Sequence, residues 1–136
     1  MPRRRRYHLA VGTSTPGKLL VAGRFLIGGG AFLVPVPALR LGGLRPRRNP
    51  QAAYMLQLFA VRDAMLGVGL VASSGPARRT WLKAGIACDL ADAAAALVET
   101  GAGRIPRTGR TTLALLASPL LGAALGAAAL AAEEDD

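Results

Sequence analysis

Apolar residues gather into four runs, at about 19–39, 52–74, 81–99 and 111–132, and polar or helix-breaking residues gather between them. Each run is roughly 19–23 residues long, and a helix of ~20 apolar residues crosses the ~30 Å hydrocarbon core of a bilayer. The separators carry strong breakers: RLGGLRPRRNPQ (40–51) holds two Gly and two Pro, SSGPARRT (73–80) a Gly-Pro pair, and GAGRIPRTGR (101–110) three Gly and one Pro. Short polar loops make consecutive helices antiparallel. The pattern predicts an all-α chain, a single integral membrane domain over 1–136 forming an antiparallel bundle of four transmembrane helices. A basic N-terminal tail (1–17) precedes it and an acidic C-terminal tail (133–136) follows.

Charges interrupt three of the runs. Arg24 lies inside the first, Arg62 and Asp63 stand side by side in the middle of the second, and Asp89 and Asp92 lie in the middle of the third. A charge at bilayer depth is expensive and faces a partner, so these five residues form a candidate intramembrane cluster, either structural or a relay. Consecutive helical residues point about 100° apart, so Arg62 and Asp63 serve different neighbours. Arg62 and Asp89 share mid-run depth, and Arg24 is offset from the middle by roughly 7.5 Å at 1.5 Å per residue, within reach of an extended side chain. The natural pairs are Arg62 with Asp89 or Asp92, and Asp63 with Arg24. Two guanidiniums against three carboxylates leave a charge of −1. That excess predicts one acid carrying a proton or sharing Lys83.

The third run is the weakest candidate span. A central Leu or Val contributes only about −0.3 to −0.6 kcal/mol to insertion, while each central Asp costs ~2.5–3.5 kcal/mol. Its two Asp outweigh its aliphatic residues, so it spans only with a partner for the carboxylates, or else lies at the interface as an amphipathic helix. Gly85, Asp89, Asp92, Ala96 and Glu99 fall on one stripe, with Leu82, Ile86, Leu90 and Leu97 beside it. Small residues beside the acids allow a second helix to come close. In the fourth run Gly122 and Gly126 form a GxxxG, read as close packing within the bundle with homodimerisation as the alternative, and Pro119 can kink the helix. Gly28, Gly29 and Gly30 make a soft point in the first helix. They are no phosphate loop, because no strand precedes them and no Lys-Ser/Thr follows.

Composition fits this picture. Half the chain is apolar, yet it has only one Trp, two Tyr and three Phe. Ala, Leu and Gly supply the bulk, as suits helices that pack closely in lipid. The net charge of +9 is concentrated in MPRRRR and in the separators, where anionic headgroups attract basic flanks. Clustered Arg also suits nucleic acid, but no aromatic platform or helix-turn-helix accompanies it, so nucleic acid is not an expected partner. The lipid bilayer is, and a second copy of the chain is a further candidate. RRRR before an apolar run resembles a signal peptide, but eleven mixed residues separate Arg6 from Lys18, at the edge of the run, and Arg24 lies within it. Cys88 and His8 are the only residues of their kinds and lie far apart, so no disulfide, metal site, cofactor site or catalytic set is expected. Lys and Arg balance between the two faces of a four-span layout. Lys83 tips the count towards both termini in the cytoplasm of a multi-pass cell-membrane protein.

At RDAMLGVGL (62–70) and RRTWLKAGIACDLADAAAAL (78–97) the chain resembles a group of small four-helix bacterial integral membrane proteins of actinobacterial type, classed as a domain of unknown function. The residues that carry the resemblance are Arg62, Asp63, Gly67, Gly69, Arg79, Trp81, Asp89 and Asp92. It covers the middle third of the chain and implies an inner-membrane location with no established activity. The chain is more loosely similar to DoxX-like membrane proteins, some linked to redox processes, although it offers no quinone or haem ligand set. The expectation is therefore a non-enzymatic membrane protein whose charge cluster organises the bundle. The alternatives are a DoxX-like oxidoreductase accessory and a small proton-coupled transporter subunit.

Overall fold

The computed structural model describes residues 14–105 and 109–134, and among these every regular element is helical: α1 (Thr15–Leu33), α2 (Pro35–Leu41), α3 (Gln51–Ala72), α4 (Gly75–Gly101) and α5 (Arg110–Glu134). The start of the basic tail, with His8 and the arginines at 3–6, lies outside the described residues, as do 106–108 and the last two acids.

The helix limits follow local chemistry. Ser14 caps α1 by accepting a 3.3 Å bond from the Gly17 amide, and Pro16 sits in the first turn, where its missing N–H costs nothing. The first predicted helix, 19–39, is corrected in two ways: it starts earlier, at Thr15, and it breaks at Val34. Pro35 has no N–H to offer the preceding turn. The chain therefore restarts as α2, bent by 115° from α1. α3 and α4 are joined by Ser73 and Ser74 alone, and α4 begins several residues before the predicted 81 and ends on a left-handed Gly103 (φ 74°). α5 runs through Pro119 as one element, with the ring buried.

α1 lies beside α3 and α5, and α4 lies beside the same two, so α1 and α4 occupy opposite corners; α2 folds back over α1 and α3. Near one end, Leu20, Val21, Leu70, Leu82 and Ala129 form a buried apolar core. There the Arg78 guanidinium ties α4 to Glu133 of α5 and donates a 2.7 Å bond to the Leu70 carbonyl. Near the other end, Gln57 donates to the Phe32 carbonyl, and the chain after α2 sits on the start of α5, where a methyl added to Gly43 would lie 2.8 Å from Thr111 Oγ1.

Side-chain size is distributed inside out relative to a water-soluble domain. Interior positions are mostly small: Gly28, Ala31, Ala60, Gly67, Gly69, Ala93, Ala96, Ala123, Gly126 and Ala129. Leu70 and Leu82 are the largest fully buried side chains, whereas Leu26 and Leu33 are each 77 % exposed and Leu113 is 68 % exposed. A protein that must hide apolar area from water does the opposite.

α3 and α5 are long and apolar enough to cross a membrane, and α1 with α2 makes a third if the bent pair counts as one span. The four predicted spans thus reduce to two or three by length and composition. α4, at 27 residues, is long enough, but Asp89, Asp92 and Lys83 lower its hydropathy.

Candidate functional site: a glycine-walled ion cluster

Three buried charges meet at the centre of the molecule. Arg24 of α1 reaches across the interior to α4, where Nη1 and Nη2 bond Asp89 Oδ1 and Oδ2 at 2.9 and 2.6 Å. The same Nη1 bonds Asp63 Oδ1 on α3. Arg24, Asp63 and Asp89 are 5, 2 and 3 % exposed. The planar guanidinium fork suits this, since one edge takes a carboxylate bidentately and leaves a donor for the second acid.

Glycine makes the space. A methyl on Gly67 would stand 3.1 Å from Arg24 Cβ, one on Gly85 would stand 3.1 Å from Arg24 Nη2, and one on Gly122 would stand 2.5 Å from Asp89 Oδ2. These glycines come from α3, α4 and α5, so each helix facing the triad thins its wall there. Gly126 meets Ile86, so both glycines of the GxxxG face α4.

A second pair lies at the α3–α4 junction. Arg62 binds Asp92 through both guanidinium ends, with Nη1 to Oδ1 at 2.9 Å, and its Cζ lies 4.6 Å from the centre of the Phe59 ring. This pair is half-buried, with side chains 36 and 23 % exposed. The structure therefore brings all five sequence-predicted charges into two adjoining groups. Asp63 meets Arg24. Arg62 meets Asp92, whereas Asp89 belongs to Arg24 instead. Lys83 is exposed and stands outside the cluster.

The buried stripe of α4 is Arg78, Leu82, Gly85, Asp89, Ala93 and Ala96, which differs from the expected one. Leu82 joins the acid face, while Leu90, Leu97 and much of Glu99 turn outward, Glu99 pairing with Arg104. The stripe also exposes a residue that sequence reasoning missed. Arg78, counted there as a loop charge, is 4 % exposed. The signal was present, since Arg78, Leu82, Gly85 and Asp89 follow helical spacing.

Beside the triad, between α1, α3 and α5, lies a cavity of about 110 Å³ lined by Arg24, Asp63 and Asp89 together with Gly23, Ser118 and Gly122. Among the described residues, no group of His, Cys, Asp or Glu is placed to hold a metal ion. Each acid of the cluster is instead bound to a guanidinium. No family model, curated protein or solved structure matches the chain.

Proposed function

We propose that the chain is a multi-pass integral membrane protein of four spans, in which the buried Arg/Asp cluster is a non-catalytic organising device that holds the helices in register. The observation that carries this reading is Arg24 spanning the interior to two carboxylates on two other helices, in a molecule whose large apolar side chains face outward. In lipid, small residues and polar contacts join helices, because burial of apolar area supplies no drive. α1 contributes a span of roughly 28 Å at 1.5 Å per residue. α4 contributes the fourth, because its two central acids turn inward or sideways to Arg24 and Arg62. Its outward face between Lys83 and Glu99 carries Ala87, Leu90, Ala91, Ala94, Leu97 and Val98, with no charge. Paired acids do not carry the insertion penalty of free ones.

Stability of the chain in micelles or bilayers tests the organising role. Arg24→Leu leaves two buried acids without their cation and is expected to cost about 3–5 kcal/mol. Adding Asp63→Asn and Asp89→Asn to that variant is expected to restore much of the loss. Additive effects across this cycle would sink the reading.

The cavity against the triad favours a second reading, a small proton-coupled transporter subunit. Its 110 Å³ have room for several waters, and Arg24, Asp63, Asp89 and Ser118 open onto it through walls that are otherwise apolar. Proton flux into vesicles carrying the protein, abolished by Asp89→Asn, would establish it, and silent vesicles would leave the organising role alone.

A further inference from the structure

The break at Val34 leaves a large apolar groove. Because α2 turns across the molecule instead of continuing α1, it forms a wall facing α3 and the start of α5. The groove between them holds about 720 Å³, within the ~300–1,000 Å³ range of small-molecule sites. Its lining is almost wholly apolar, with Ile27, Leu39, Met55 and Phe59 on one side and Ala114 and Leu115 on the other.

One end of the groove is basic. Leu44 lines it and also lines an adjoining hollow of about 330 Å³ whose other walls are Arg40, Arg45, Pro46, Arg47 and Arg48. All four arginines are exposed. Among the described residues none of them makes a salt bridge, and the one acid at that end of the molecule, Glu99, is engaged by Arg104. The loop that bears Arg45, Arg47 and Arg48 is held by Gly43, whose φ of 80° would strain any other residue and whose backbone rests on Thr111 and Arg110.

We propose that groove and hollow together bind one molecule of an anionic phospholipid, an acyl chain in the groove and the phosphate headgroup among Arg40, Arg45, Arg47 and Arg48. Charge complementarity selects this occupant. Four uncompensated guanidiniums at the mouth of an apolar slot match a ligand with a phosphate at one end and hydrocarbon at the other. A zwitterionic lipid offers the same chains, but its own cation opposes the arginines. A free phosphate would leave the apolar slot unfilled.

The inference rests on the membrane reading above, and the experiment separates the two. The full chain is purified in a nonionic detergent. Native mass spectrometry then compares phosphatidylglycerol with phosphatidylcholine of identical acyl chains, with glycerophosphoglycerol as a chain-free competitor. Phosphatidylglycerol is expected to be retained about tenfold better or more. Arg45→Gln/Arg47→Gln/Arg48→Gln together should bring it down to the phosphatidylcholine level. Ala52→Trp, which fills the groove from α3, should weaken it about tenfold with helicity unchanged, and Ala114→Phe, from the facing wall, should do the same. The competitor should not displace the lipid. Equal retention of both lipids, an indifferent triple arginine variant, or displacement by the competitor at equal concentration would overturn the lipid site. A chain that stays in solution when detergent is removed would overturn the membrane reading itself.

Discussion

At the scale of single residues, burial ranks the two arginines of the cluster. Arg24 is enclosed and serves two acids, whereas Arg62 is half-exposed and serves one. Arg62→Leu should therefore cost less than Arg24→Leu, about 1–3 kcal/mol, because the deserted Asp92 is partly solvated. A double-mutant cycle in micelles should give a coupling above about 0.5 kcal/mol between Arg62 and Asp92 and none beyond about 0.3–0.5 kcal/mol between Arg62 and Asp89. Neighbouring glycines should differ as sharply. A methyl on Gly28 would lie 2.8 Å from the Ala60 carbonyl oxygen and the Ala64 nitrogen, both backbone atoms of α3, while one on Gly29 meets nothing. Gly28→Ala should thus force α1 from α3 at a cost of about 1–3 kcal/mol. Gly29→Ala should be neutral or stabilising by up to about 1 kcal/mol, from helix propensity. Equal thermal unfolding of the two variants would place the α1–α3 contact elsewhere. What reads in sequence as a soft GGG point is a helix crossing at its first glycine.

At the scale of elements, α4 depends on its neighbours most. Taken alone, its two central acids should keep it out of the bilayer in a translocon insertion assay. Asp89→Leu with Asp92→Leu should drive the isolated segment in, by a swing of roughly 6–8 kcal/mol. The same pair in the intact chain should act the opposite way and lower bundle stability, since Arg24 and Arg62 both lose acceptors. A substitution that helps the part and harms the whole is the signature of a helix inserted by its partners. If the intact variant gains stability, the acids are a burden and organise nothing. The other informative element is α2, which exists because Pro35 ends α1 short of the predicted limit and which creates the groove.

At the scale of the whole molecule, the four spans proposed above, taken in antiparallel order, predict a topology. Reporter fusions after residues 45, 77, 105 and 134 should alternate between the two sides of the membrane. Two consecutive fusions on one side around α4 would mean that this helix lies on the surface. The orientation expected from the Lys and Arg count, with both termini in the cytoplasm, predicts that a cysteine placed at Arg45 is labelled from outside in intact cells and that one placed at Ser74 is not. The molecule is graded along its length: an apolar core locked by Arg78 and Glu133 near one end, the ion cluster in the middle, and an open apolar groove with a basic rim near the other.

Much of this was legible from residue order alone. Hydropathy and breakers located α3 and α5 to within two residues, because a run of apolar residues between Gly and Pro has little choice of structure, but they missed the end of α1 and the start of α4 by six. Charges at mid-run named the five members of the cluster, because the cost of burying a charge demands a partner. Three things required the tertiary structure. The partner of Asp89 depended on which helices stand at opposite corners, which spacing along one helix does not contain. The break at Val34 and the groove it opens depended on where α2 could pack once Pro35 stopped α1. The inward turn of Arg78 depended on Glu133, 55 residues away, arriving beside it. Local sequence dictates what a segment must satisfy, and only the packing of distant segments supplies the group that satisfies it.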